Sequence, residues 1–209
     1  MAIIRALARV HCVDLVMLGA ERAAADDPEP LRHLCRSITT ITVPAFSPHS
    51  GGGWRDLFRV TPRSFVATYD PAVTALLERR IAARECDAVI CGELAAYYGL
   101  KVARSAAVFV DELDPSRYED AVRNARTTSS HLRAALMSWK YRRLVQALGH
   151  DCAGFFVASE REAGLLSAIT AHAERVAVVP NGVTLTGQND MPVHDAHRLV
   201  YSGSPTYAP

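Results

Sequence analysis

The sequence predicts an α/β fold: a Rossmann-like, doubly wound parallel sheet. Three observations carry that prediction. Strand and helix patterns alternate along the chain, the strand patterns are continuous apolar runs, and the helical stretches repeat apolar residues at three- and four-residue steps. Continuous β-branched runs suit strands buried on both faces, which a parallel sheet between helices provides.

Taken in order, the chain opens on what reads as the back half of a helix, with Ile3, Leu7 and Val10 apolar. Strands follow at 13–18 and 38–43, with a short helix between them at 29–36. The stretch 72–85 places Val73, Leu76, Leu77 and Ile81 on one apolar face, the signature of an amphipathic helix. Strands at 87–91 and 106–110 flank a helix at 93–103. Helices at 115–125 and 129–149 precede a strand at 153–158, and in the longer one Leu132, Leu136, Trp139 and Leu148 lie on or near one stripe. The helix at 160–170 carries a start signal, since Ser159 can cap it while Glu162 reaches back as a capping box. The run 176–179 is a buried strand that breaks at Pro180, Asn181 and Gly182, where a lost donor and tolerance of positive φ make a tight corner. A last strand is expected at 198–202.

Only 44–70 breaks the rhythm. Three prolines, three adjacent glycines and several aromatics make it a long loop with at most a short helix at 54–59. The glycine triplet is no phosphate cradle, because no strand runs directly into it.

Composition bounds the function. The chain has 209 residues, 49% hydrophobic and 22% charged, with a net charge of +1. Such a chain is an ordinary globular one with no global field for nucleic acid, and no nucleic-acid motif accompanies its basic stretches. The five cysteines, Cys12, Cys35, Cys86, Cys91 and Cys152, show no C-x-x-C spacing and read as buried free thiols, not as zinc ligands or a disulfide framework. No apolar run is long enough for a membrane span, and the start lacks the form of a secretory signal.

Three pieces together carry a resemblance: "FFVASEREAGLLSAI", "RVAVVPNGVTL" and "HRLVYSGSPTYAP". In this order and spacing they resemble the interdomain junction of retaining glycosyltransferases of the GT-B fold, family 4. There a strand ends in "VSE-x-E", a helix follows, a strand ending in "PNGV" closes the first domain, and a linker leads to the second. Upstream, "RALARVHCVDLV" is similar to the family's first helix and second strand, and "CDAVICGE" and "AAVFVDELDPSRY" to strands lining its cleft. The resemblance implies an acceptor-side domain over 1–183 lacking its first strand, a linker over 184–197, and the beginning of a donor-binding domain over 198–209.

What the resemblance implies for function is transfer of a sugar, with retention, from a nucleotide-sugar donor to a sugar or lipid-linked acceptor in polysaccharide biosynthesis. The nucleotide sugar is a substrate, no cofactor or metal is called for, and the location implied is cytoplasmic. The family's basic residues on the diphosphate and its acidic donor-sugar motif lie past Pro209, so this chain is expected to be inactive alone. Ligands of open α/β sheets sit beyond the carboxyl ends of the strands, which selects the candidates. Asp111 is the expected catalytic-side carboxylate, although the family's His is replaced by Val110. Glu93, Glu112, Asn181 and Gly182 are acceptor or cleft candidates, and Gly203 is the donor-phosphate candidate. Each acid has helix capping as its competing structural role, and each glycine or asparagine a plain turn.

The helix at 129–149 carries Arg133, Lys140, Arg142 and Arg143 with no acid, and Trp139 and Tyr141 interleaved. Such a helix can lie peripherally on an anionic membrane face; a solvated basic face over core aromatics is the competing reading. Two other classes stay open: a non-catalytic interaction or membrane-docking module, and another GT-B enzyme such as a sugar-nucleotide epimerase.

Overall fold

A computed structural model describes residues 2–19, 29–45 and 60–180. Its element order is α1 (Ala2–Leu7), β1 (Asp14–Gly19), α2 (Glu29–Arg32), β2 (Ser37–Thr42), α3 (Arg63–Ala67), α4 (Pro71–Ala82), β3 (Ala88–Gly92), α5 (Ala96–Val102), β4 (Ala107–Asp111), α6 (Pro115–Arg123), α7 (Thr128–Asp151), β5 (Gly154–Val157), α8 (Glu160–Thr170) and β6 (Val176–Val178). The strands are all parallel, in a Rossmann-like α/β arrangement.

The strands form two sheets, β1–β2 and β3–β4–β5–β6. Among the described residues β1 pairs only with β2 and β3 only with β4, so a break in the sheet separates the two groups. The order β3 to β6 advances in one direction, and right-handed crossovers then bring the connecting helices to one face. That face holds the core: Cys91, Val108, Val110, Phe155 and Val157 pack under Val102 of α5, Leu144, Val145 and Leu148 of α7, and Leu166 and Ile169 of α8. On the other face Ile90 is exposed and the Phe109 and Phe156 rings stack at 5.6 Å. The expected cover of helices over both faces is therefore seen on one face among the described residues.

A smaller cluster joins the two sheets. Val43, Val73 and Tyr98 are buried together against Leu18, Ile41 and Leu77, and Leu77 also touches the main core. The Tyr98 hydroxyl donates to the Thr68 carbonyl at 2.7 Å and accepts from the Asp70 N–H at 2.8 Å, fixing the entry to α4. Asp70 then caps α4 through the Ala72 N–H at 2.8 Å, with Pro71 at the first helical position. Polar ties reinforce the join: Arg80 of α4 reaches Asp14 at 3.5 Å, and the Arg36 guanidinium pairs with Asp14 and donates to the Glu85 carbonyl at 3.1 Å.

Four expectations need correction. Residues 60–70 are not loop throughout, because Arg63–Ala67 is helical and buries Phe65. The helix expected at 29–36 extends only from Glu29 to Arg32. On α7, Leu148 is in the core while Leu132 is 72% exposed and Trp139 50% exposed. Positions 132 and 148 lie 16 residues apart, about 1,600° at 100° per residue, so they point in opposed directions and cannot share a stripe. Of the basic residues there, Lys140 is buried, and Tyr141 is the core aromatic. Finally, Cys91 and Cys152 are the buried free thiols, Cys35 and Cys86 are half-buried, and Cys12 is exposed.

Candidate functional site

The carboxyl ends of β3 and β4 set the site. Gly92 pairs with Asp111 in register, so Glu93 and Glu112 leave the sheet at the same level. Glu112 has φ 60°, in the left-handed region, a conformation that costs an L-residue about 1–2 kcal/mol. Its N–H donates to the Phe156 carbonyl at 3.2 Å, which holds the turn. The chain then buries Leu113 and places Asp114 as the cap of α6, accepting from the Arg117 N–H at 3.1 Å. Because Asp114 caps, neither Asp111 nor Glu112 has that role. Asp111 is half-buried, and burial, followed by the Glu112 carboxylate beside it, raises its pKa from the ordinary aspartate value.

Glu93 does not cap a helix either. Gly92 occupies the cap of the 3-10 turn Glu93–Ala95, and no side-chain cap bond is made there. The Glu93 carboxylate instead points inward and accepts from the Tyr141 hydroxyl at 3.3 Å. Burial raises its pKa most strongly, while Arg117 and the Tyr141 hydroxyl pull it back. The Tyr118 and Tyr141 rings stack with centroids 4.0 Å apart, and burial pushes the Tyr118 hydroxyl up to about 12 and Tyr141 higher still. Both tyrosines thus stay protonated as donors.

Glu93 and Tyr118 open on a cavity of about 520 Å³. Phe65 and Ser64 of α3 line it, with Thr68 just past the helix end. Leu94 and Ala121 add apolar wall, and α7 contributes Ser130, Arg133, Ala134 and Met137. Positions 130, 133, 134, 137 and 141 follow one face of a helix, which is how a single element lines the cavity and reaches Glu93. The first turn of α7 is fixed by a capping box between Thr127 and Ser130. The result is a largely apolar cavity lined by one half-buried acid, one tyrosine ring and two arginines, with Tyr141 behind the acid, the usual make-up of a small-molecule site.

Glu93 is the sequence candidate that lines this cavity; Asp111 and Glu112 stand at the adjacent strand end without lining it. Asn181, Gly182 and Gly203, the linker 184–197 and the strand expected at 198–202 lie outside the described residues. Ser159 is structural: its hydroxyl accepts from the Glu162 N–H at 3.3 Å, and Glu162 returns bonds to the Ala158 and Ser159 N–H groups. Arg117, Tyr118, Arg133 and Tyr141 were not singled out as cleft residues. The available signal was the spacing 130, 133, 137, 141 on one helix face. No cluster of His, Cys, Asp and Glu suited to a metal occurs among the described residues, and no described helix is long and apolar enough to cross a membrane. Comparison with protein-family models finds no match to this chain, and comparison with curated proteins finds none either.

Proposed function

We propose that this chain is the acceptor-side unit of a retaining glycosyltransferase, using a nucleotide-sugar donor bound by a second domain. The observation that carries the reading is the cavity beside Glu93 at the carboxyl ends of a Rossmann-like parallel sheet, where ligands of such sheets lie. Carboxylates at strand ends suit the hydroxyls of a sugar, and aromatic rings suit its apolar faces. Asp111 stands at the strand end next to the cavity, outside its lining and free of any capping role, and we assign it to receive the acceptor hydroxyl's proton, a role that burial favours by raising its pKa. The ordered resemblance through "VASERE", "VVPNGV" and "SGSPTYAP" supports the same reading. Positive charge for the departing diphosphate belongs to the second domain, so the chain by itself transfers nothing.

The test is transfer of labelled sugar from a panel of nucleotide sugars to acceptors in a cell extract. The polypeptide made with its flanking coding sequence is expected to transfer with retained anomeric configuration, and this chain alone is not. A flanking sequence that encodes no second Rossmann domain, or a longer polypeptide with no transfer on any donor, overturns the proposal. A non-catalytic lipid-docking module is the second reading, favoured by exposed Leu132 and Trp139 on α7; transfer by the longer polypeptide decides against it.

A further inference from the structure

We infer that the cavity selects an acidic sugar: a glycan unit of the uronic acid type, whose single carboxylate is held by Arg133. This deepens the acceptor reading and rests on it for the role of the ligand, though not for its binding.

Charge is the first ground. Two guanidiniums, Arg117 and Arg133, line the cavity together with one carboxylate, Glu93. Burial raises the Glu93 pKa and Arg117 pulls it back, so those two charges are matched to each other. Asp114, the other acid near Glu93, is engaged as the cap of α6 and does not line the cavity. Arg133 is exposed and has no carboxylate partner among the described residues. One positive charge is left over, and a single carboxylate neutralises it. A phosphate monoester, with nearly two negative charges at pH 7, would set an excess against Glu93. A guanidinium also meets a carboxylate through two parallel N–H···O bonds, a match that no sugar hydroxyl offers.

The placing of the uncharged groups is the second. Ser130 lines the cavity one turn before Arg133, but its hydroxyl is taken up by the capping box, donating to the Thr127 carbonyl at 2.8 Å. Ser130 thus fixes the turn and leaves the anion to Arg133. The Thr68 hydroxyl donates to the Ser64 carbonyl at 2.9 Å and keeps its lone pairs for a ligand hydroxyl. Glu93 likewise accepts, held by Tyr141, which stands eight residues and about 12 Å along the α7 axis from Arg133. The cation and the carboxylate are therefore set apart along the helix, one for an acid group and one for hydroxyls. Phe65, Leu94 and Met137 add apolar wall for the C–H faces of a sugar ring. A neutral sugar would leave Arg133 with nothing to pair, and a purely apolar ligand would leave Glu93 and Thr68 without hydroxyls.

The probes are the methyl glycosides of glucuronic, galacturonic and mannuronic acid, titrated into the full chain beside their neutral hexosides and the corresponding hexose 6-phosphates, with binding read by ligand-observed NMR. At least one uronide is expected to bind at least tenfold more tightly than its neutral counterpart, and more tightly than the phosphate. Added sodium chloride should weaken the uronide and not the hexoside. Arg133→Gln should bring the uronide down to the affinity of the hexoside while hexoside binding and the thermal midpoint hold, since the side chain is exposed. Arg133→Lys should recover part of the loss. Arg104→Gln, on an exposed residue after α5 at the other end of the sheet, should leave binding unchanged. Uronides that bind no tighter than their hexosides, a phosphate that binds tightest, or equal loss in Arg133→Gln and Arg104→Gln overturns the inference. No donor is needed in these titrations. Transfer by the longer polypeptide to a neutral glycan, with no uronide preference in binding, would sink the ligand class and leave the transferase standing. Uronide binding that is lost in Arg133→Gln, with no transfer by the longer polypeptide, would sink the transferase alone.

Discussion

The Tyr141 hydroxyl reaches across from the middle of α7 to donate to Glu93 Oε1 at 3.3 Å, so the acid after β3 is held by a residue 48 positions later. Burial makes Glu93 the group whose titration the fold opposes. Its pKa is raised from the ordinary 4.5, so its contribution to stability is present in full below pH 4.5 and is lost as pH rises through the raised value. Glu93→Gln should flatten that fall, and Tyr141→Phe should shift it to higher pH by removing a donor to the charged form. Urea midpoints from pH 4 to 8 for the wild type and both variants check this; parallel curves for wild type and Glu93→Gln would refute it.

At the other end of the molecule Asp14 behaves in the opposite sense. The Arg36 hydrogen bond, helped by Ser37 and Arg80, holds its pKa below the ordinary 3.8 against the cost of burial. That stability is present above pH 3.8 and is lost as pH falls through the lowered value. Because Arg36 is half exposed, Asp14→Asn should cost only about 1 kcal/mol. Its effect should be local: hydrogen exchange is expected to quicken in β1 and β2 and to remain slow in β3–β6.

Gly149 of α7 lies against α8 with no room for a methyl group. A Cβ there would meet Thr170 Cβ at 2.8 Å and its Cα at 3.2 Å. Gly149→Ala gains up to about 1 kcal/mol of helix propensity. Parting two packed helices costs about 1–3 kcal/mol, so a net loss is expected in chemical denaturation. Gly164, with open space around it, is the control: Gly164→Ala should stabilise.

The capping box at α8 makes a separable prediction. Ser159→Ala should cost about 1 kcal/mol and Ser159→Asp should restore most of it, because either side chain can accept from the Glu162 N–H. Thermal midpoints of the two variants decide. A phosphate-dependent rescue of Ser159→Ala would mean that this helix start is a ligand site after all.

Elements governed by neighbours in sequence were legible from the sequence. Helix α8 was readable to the residue, since Ser159 and Glu162 mark its start and the apolar period carries it to Thr170. The described strands were readable within a residue or two, because apolar runs such as Val108–Val110 need no partner to be recognised, while the strand expected at 198–202 lies outside the described residues. The helix at Arg63–Ala67 was not, being a single turn in a proline-broken stretch whose helicity depends on burying Phe65 against Tyr141. The α7 stripe misled for a geometric reason: apolar residues at the two ends of a 24-residue helix face different neighbours, α6 and solvent at one end and the sheet at the other. At the site, Glu93 could be picked from its place after a strand. Its partners Tyr141, Tyr118 and Arg117 belong to α6 and α7, and nothing local announces that they converge.

The division between the β1–β2 pair and the larger sheet has a consequence for handling the protein. Among the described residues each flank of the division leaves a row of amides and carbonyls unpaired, with Ile90 exposed beside it, ready to zip onto any stray extended chain. Purified material should therefore be prone to concentration-driven clumping seeded at β1 and β3, rich in intermolecular amide-I signal near the cross-strand band. A lysine at Ile90 should blunt it, in the way charged side chains guard natural sheet margins.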